Sequence, residues 1–160
     1  MPTILFVCKV NRFRSVIAEE QFRQLLISSQ APDSWIVGSA GTWAQNGLPP
    51  VSQALKFGKS RGLELGAIRS REVTLPMLEG ASLIIPMTQG QKEALRLEFP
   101  TIKNRILLFS EICDRQFYDV PDPMENPAVT WEEVGNEICD LLSRSFDRIC
   151  KKATQSKYCV

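Results

Sequence analysis

The chain has 160 residues, 44% of them hydrophobic, which is enough for one domain with a sizeable core and too few for two ordinary ones. Nineteen basic residues against eighteen acidic leave a net charge of +1, which excludes a general affinity for nucleic acid or a membrane surface and makes any electrostatic function local. Histidine is absent and the five cysteines form no C-x-x-C pair, so Ser-His and Cys-His nucleophile pairs and a structural zinc site are excluded, and the odd thiol count suits a reducing compartment.

The apolar run Thr3-Ile4-Leu5-Phe6-Val7 reads as a short buried strand that carries Cys8 to a sheet edge. A turn, Lys9-Val10-Asn11-Arg12-Phe13, separates it from Arg14 and Ser15. An amphipathic helix follows from Val16 to Ile27, with Ile17, Ala18, Phe22, Leu25 and Leu26 on one side. Ser34 to Gly38 reads as a second strand, and the Gly-rich segment Gly38-Ser39-Ala40-Gly41-Thr42-Trp43 as an adaptable loop at the same edge. A helix from Ser52 to Arg61 is stopped by Gly62. Ser82 to Met87 is a third strand; its apolar core, Leu83-Ile84-Ile85, is far shorter than a membrane span.

Thr88 opens the next helix with a capping box to Gln91, and that helix ends before Pro100. Arg105 to Phe109 is a fourth strand. The loop from Asp114 to Pro127 contains Val120-Pro121-Asp122-Pro123, where two prolines stiffen the backbone that carries Asp122. A second capping box, Thr130 with Glu133, starts a helix bearing Val134, Ile138, Leu141, Leu142, Ser145 and Ile149 at helical spacing. Strands alternating with helices imply a doubly wound α/β domain with right-handed crossovers over residues 1–150, followed by a frayed tail over 151–160. Lys9 and Arg12 interrupt any signal-peptide pattern, so the expected location is cytoplasmic, away from membranes.

In doubly wound sheets the ligand sits beyond the carboxyl ends of the strands. Cys8 ends the first strand there. The turn after it can aim backbone N–H groups at an anion, and the helix N-terminus adds positive potential that favours a thiolate. With no histidine available, Cys8 must be activated by dipoles and by Arg14 rather than by a base. Arg14, planar and bidentate, suits a phosphate clamp. Asp122 suits a general acid that protonates a leaving oxygen and later activates water, with Asp119 and Asp114 as rivals in the same loop. Ser15 can hydrogen-bond Cys8. Asn11 stands mid-turn where a positive φ is needed, and its amide can reach Ser39. Lys9 and Arg12 make the cleft mouth attractive to phosphoproteins, whereas Arg69 and Arg71 read as solvated. Trp43 and Met124 are the candidate cleft walls. Cys113, Cys139, Cys150 and Cys159 are read as passive.

The segment Cys8 to Ser15, a cysteine, five residues with Asn third, then Arg-Ser, resembles the signature of the low-molecular-weight protein tyrosine phosphatases. Ser39-Ala40-Gly41-Thr42, Arg69-Ser70-Arg71, Met87 and Val120-Pro121-Asp122-Pro123 are similar to family landmarks in the family's order, covering about residues 1 to 145. The resemblance implies a single three-layer domain with a four-stranded parallel sheet flanked by helices. It implies Cys8 as nucleophile, Arg14 as phosphate clamp and Asp122 as general acid, with Lys9, Val10, Asn11, Arg12, Phe13 and Ser15 forming the phosphate-binding loop and Ser39 supporting it. It also implies no metal and no nucleotide cofactor. The expected partner is a phosphorylated protein or small aryl phosphate, with phosphate, sulfate or vanadate as ligands.

Four positions depart from the family pattern. Val10 stands where the family has Gly, Phe13 where many members have a second Cys, Ile68 where many have a loop-supporting His, and Met124-Glu125 where aromatic residues usually wall the slot. A Gly position that needs φ > 0 or close phosphate approach would strain the loop by about 1–3 kcal/mol once occupied by Val10, and one that needs neither would tolerate it. Two other readings therefore stand beside phosphatase: an impaired phosphate- or phosphoprotein-binding module, and an arsenate reductase-like oxidoreductase. The second lacks a resolving Cys next to Cys8.

Overall fold

The computed structural model describes residues 1–155. Three parallel strands, β1 (Thr3–Cys8), β2 (Ile36–Gly41) and β3 (Leu83–Pro86), form a sheet of order β2-β1-β3. The strand carrying Cys8 is central. Ile4 and Phe6 pack on one face with Val16, Phe22, Ile138 and Leu142, while Leu5 and Val7 pack on the other with Leu78, Leu95 and Ile102. Both faces are buried, which is why the strand reads as an unbroken apolar run rather than an alternating one.

Helix α1 (Arg14–Ser28) starts two residues before the sequence signal. Helix α2 (Ser52–Arg61) has the expected bounds, with Gly62 closing it at φ 72°. A short helix, α3 (Leu75–Gly80), was not anticipated; Pro76 at its start and six residues of length leave little periodicity to read. Helix α4 (Gln89–Glu98) carries the Thr88–Gln91 capping box. The Thr130–Glu133 pair likewise opens α6 (Trp131–Gln155), with Thr130 N–H donating to Glu133 and Glu133 N–H to the Thr130 hydroxyl.

Three expectations are corrected. The fourth strand shrinks to one bridge between Ile84 and Ile106, with Leu107 N–H donating to the Ile84 carbonyl at 3.0 Å. A 3₁₀ helix (Pro100–Arg105) occupies one flank. On the other, the Glu111 carboxylate accepts the Leu108 N–H at 3.0 Å, so Phe109 begins helix α5 (Phe109–Asp114) instead of ending a strand. The second strand lies further along the chain than Ser34–Gly38: Ser39, Ala40 and Gly41 pair with Phe6, Val7 and Cys8, so the supposed adaptable loop is strand. Glycine is needed there, because a Cβ on Gly41 would collide with the Lys9 carbonyl. Residues 151–155 continue α6, since Ala153 is buried one turn beyond Ile149, and the remainder of the expected tail, with Cys159, lies outside the described residues. No helix among the described residues is long and apolar enough to cross a membrane.

Candidate active site

Strand β1 delivers Cys8 to the carboxyl edge of the sheet, where the thiol is 2% exposed. The chain then turns through residues 9–13 and enters α1 at Arg14, so the N-terminus of that helix points back at the sulfur. Asn11 adopts the left-handed conformation at φ 58°, which reverses the chain. Val10 does not: the positive-φ residues other than glycine, among those described, are Asn11, Gln30 and Arg115. Backbone strain from a positive φ at Val10 is therefore absent.

The loop is pinned by a buried polar network. Cys8 Sγ lies 2.9 Å from Ser15 Oγ. Asn11 Nδ2 donates to Ser15 Oγ at 2.8 Å and to Ser39 Oγ at 2.9 Å, while Asn11 Oδ1 accepts the Arg71 N–H at 3.0 Å. The Ser39 hydroxyl donates to Glu19 Oε2 at 2.5 Å, and Glu19 Oε1 is held by Arg23 at 2.6 Å. Asn11 spends its amide on this scaffold and has only backbone to offer a ligand. Backbone ties complete the frame: Thr42 and Trp43 N–H groups donate to the Cys8 and Lys9 carbonyls, each at 2.9 Å.

Arg14 is 4% exposed. One terminal nitrogen donates to the Val120 carbonyl at 2.9 Å and the other to Asp122 Oδ2 at 3.2 Å. Asp122 also accepts the Met124 N–H at 2.9 Å, which fixes its carboxylate over the cleft. The rivals hold other partners, and Asp119 lines the same cavity as Arg14 and Asp122. Asp119 accepts the Gln89 N–H at the start of α4, and Asp114 accepts the Tyr118 hydroxyl at 2.9 Å, where burial and that bond push the phenol upward. Of the three, Asp122 is the one that bonds Arg14.

Lys9 crosses the mouth. Its ammonium pairs with Glu125 and lies 5.2 Å from the centre of the Trp43 ring. The hydrogen bond and charge of Lys9 hold the exposed Glu125 carboxyl below its usual range. On one side of Lys9, Arg14, Asp122, Gln91 and Asn126 line a cavity of about 430 Å³. On the other, Val10, Arg12, Trp43, Leu48 and Met124 line one of about 370 Å³. Both expected wall residues, Trp43 and Met124, therefore face one slot beside the loop. Phe13 does not face the cleft at all: its ring is buried edge-on against Trp131 at 4.8 Å, so only its backbone belongs to the loop. Arg12 is tied down by a bond from Nε to the Pro49 carbonyl at 2.8 Å.

Sequence reasoning missed Glu19, Arg23 and the loop-holding role of Arg71. The Glu19–Arg23 spacing of four on α1 was the available signal, but such pairs are usually solvated. Ile68 is half-buried against the apolar core, and loop support comes from Asn11, Ser39 and Arg71 instead. The other described thiols, Cys113, Cys139 and Cys150, are free. Burial pushes Cys113 up to about 12 and Cys139 and Cys150 each up to about 11.

The chain is 28% identical to a protein-arginine-phosphatase from Geobacillus stearothermophilus, over 91% of this chain and 95% of that protein. It is also 28% identical to the probable low molecular weight protein-tyrosine-phosphatase EpsP of Ralstonia nicotianae, over 92% of each. The crystal structure of a low molecular weight protein tyrosine phosphatase from T. tengcongensis superposes with a TM-score of 0.82 at 27% identity, covering 95% of this chain and 99% of the other. The sequence model of low molecular weight phosphotyrosine protein phosphatases spans residues 3–155, taking in the Cys8 loop, the Asp122 loop and the whole of α6, and the chain belongs to that family.

Proposed function

We propose that this phosphatase hydrolyses phosphomonoesters through a phosphocysteine on Cys8, with Arg14 as the phosphate clamp and Asp122 as general acid and then base. The observation that carries this reading is the single line of contacts from Ser15 and Cys8 through the helix N-terminus to Arg14 and Asp122. A phosphoryl dianion entering the loop draws the Arg14 guanidinium to its oxygens and releases the Asp122 carboxyl. The Cys8 thiolate attacks phosphorus and forms an S–P bond, while the P–O bond to the leaving group breaks and Asp122 protonates the departing oxygen. Ser15 Oγ hydrogen-bonds the sulfur, which stabilises it as it attacks and again as it leaves. Water then attacks phosphorus, gives its proton to Asp122, and releases inorganic phosphate and the thiolate.

The substrate we propose is phosphotyrosine on a protein or a small aryl phosphate, with the ring in the slot between Trp43 and Met124. Phosphoarginine is the second reading. It is favoured by the Glu125 carboxylate at the mouth, which can pair with a guanidinium, and by the activity named for the Geobacillus relative. We assign the protein to the cytoplasm, where free thiols persist.

The test is p-nitrophenyl phosphate turnover under reducing conditions with EDTA, beside Cys8→Ser and Asp122→Asn. Activity abolished by the first and reduced by about 10²-fold or more by the second is expected. Turnover retained in Cys8→Ser would exclude the phosphocysteine. Phosphotyrosyl and phosphoarginyl peptides assayed side by side then decide the substrate class.

A further inference from the structure

Behind the Cys8 loop, on the side away from the cleft, Glu19, Arg23, Ser39, Ile68, Arg69 and Arg71 line a cavity of about 410 Å³. Three guanidinium groups and one carboxylate face it. The carboxylate is spent: Glu19 is buried, with one oxygen on Arg23 and the other on Ser39. Arg23 is shared between Glu19 and Glu20, whereas Arg69 and Arg71 form no ion pair among the described residues. With Glu20 counted, the three guanidinium groups exceed the two carboxylates by one, and the two that hold no ion pair, Arg69 and Arg71, are the ones left to meet an anion. Arg69 donates to the Gly66 and Ile68 carbonyls at 2.7 and 2.9 Å, and Arg71 Nε donates to the Ser39 carbonyl at 2.9 Å, so both side chains are anchored. Both arginines are exposed to solvent, and the Arg71 guanidinium passes over Gly38, where a Cβ would stand 2.5 Å from its Nη2.

We propose that this cavity binds a small phosphate-type dianion through Arg69 and Arg71, with Arg23 beside them, and that its occupancy is transmitted to Cys8. Anchored, unpaired guanidinium groups around a pocket are the chemistry that takes a phosphate bidentately. The route to the thiol is short. Arg71 holds Asn11 Oδ1 with its backbone N–H and the Ser39 carbonyl with Nε, and Asn11 holds Ser15, which lies against Cys8 Sγ. A dianion that takes up the Arg71 and Arg23 charge leaves the Glu19 carboxylate uncompensated four hydrogen bonds from the sulfur, through Ser39, Asn11 and Ser15. It thereby disfavours the thiolate. The transmission to Cys8 rests on the phosphocysteine reading above; the site itself does not.

Calorimetric titration with inorganic phosphate tests the site. In Arg14→Ala, which removes the clamp of the active-site loop, one phosphate site is expected to remain, and adding Arg69→Gln and Arg71→Gln should weaken it at least tenfold while circular dichroism shows the fold retained. Loss of all binding in folded Arg14→Ala, or binding indifferent to Arg69→Gln and Arg71→Gln, would overturn the proposal. The wild-type enzyme supplies the second arm. At saturating p-nitrophenyl phosphate, competition at the active site leaves kcat unchanged, whereas occupancy of the rear site is expected to lower kcat at least twofold in a manner abolished by Arg69→Gln. A phosphate effect confined to KM would overturn the transmission to Cys8. Glycerol phosphate distinguishes the source of the dianion: tighter binding than inorganic phosphate identifies a phosphorylated small molecule, and weaker binding identifies free phosphate. An enzyme with no turnover leaves the calorimetric arm standing, so failure of this proposal and failure of the phosphocysteine reading give different results.

Discussion

Asn11 combines two properties that few residues share, tolerance of φ 58° and an amide that donates twice and accepts once inside a buried loop. Asn11→Ala leaves the Ser15 and Ser39 hydroxyls and the Arg71 N–H without that partner. We expect a loss of about 2 kcal/mol in urea denaturation and a fall in kcat/KM of about 100-fold, because the sulfur and the loop donors lose their alignment. Val10 behaves otherwise. Its φ is not in the left-handed region, so Val10→Gly relieves no strain and instead loosens the unfolded chain, for a cost of about 0.4–1 kcal/mol. A stabilised Val10→Gly would contradict this reading. Burial pushes Cys113 up to about 12 and Cys139 and Cys150 up to about 11, so these three remain protonated at neutral pH, whereas Cys8 lies in a loop at a helix N-terminus. Alkylation at pH 7.5 in roughly stoichiometric reagent is expected to label Cys8 ahead of them by peptide mass mapping, and bound phosphate should slow it.

At the level of elements, the site depends on how closely helices approach the sheet and one another. Helix α6 packs against α1 and α2, and Gly135 lies against Phe57 of α2 so closely that a Cβ there would stand 2.7 Å from the ring. Gly135→Ala forces that ring aside. It should cost about 1–3 kcal/mol in thermal or urea denaturation despite the better helix propensity of alanine. Phe13 couples the same helix to the loop, because its ring packs on Trp131 at the first turn of α6. The residue after Arg12 therefore sets the loop's position through the core rather than through the ligand. The Lys9–Glu125 pair joins the Cys8 loop to the Asp122 loop at the surface. It is exposed and easily exchanged for a substrate contact.

Across the whole molecule, the buried thiols make alkaline pH a probe of the fold. Cys113 has an ordinary value of 9.0 and about 12 when folded, because its thiolate is penalised by desolvation. The folded state thus binds the proton more tightly. Its contribution is complete below pH 9 and is lost as pH rises from 9 towards 12, so urea midpoints should fall across that window and fall less in Cys113→Ala. Local chemistry determined much of the rest. Both capping boxes, the Gly62 stop and the apolar run into Cys8 are decided within a few residues, so they were legible in the sequence. So were Cys8, Arg14 and Ser15, which share one turn of chain. The extent of β2 was not legible, because Ser39 to Gly41 become strand only by pairing with β1. The fourth strand failed for the same reason: one bridge to Ile84 could not compete with the helix that Glu111 caps. Pairing Asp122 with Arg14, and turning Glu19, Arg23 and Arg71 into a connected network with Asn11 and Ser39, required contacts between residues up to 108 positions apart. Hydrogen bonds and charge pairing at such separations act through space, and only the folded chain brings their partners together.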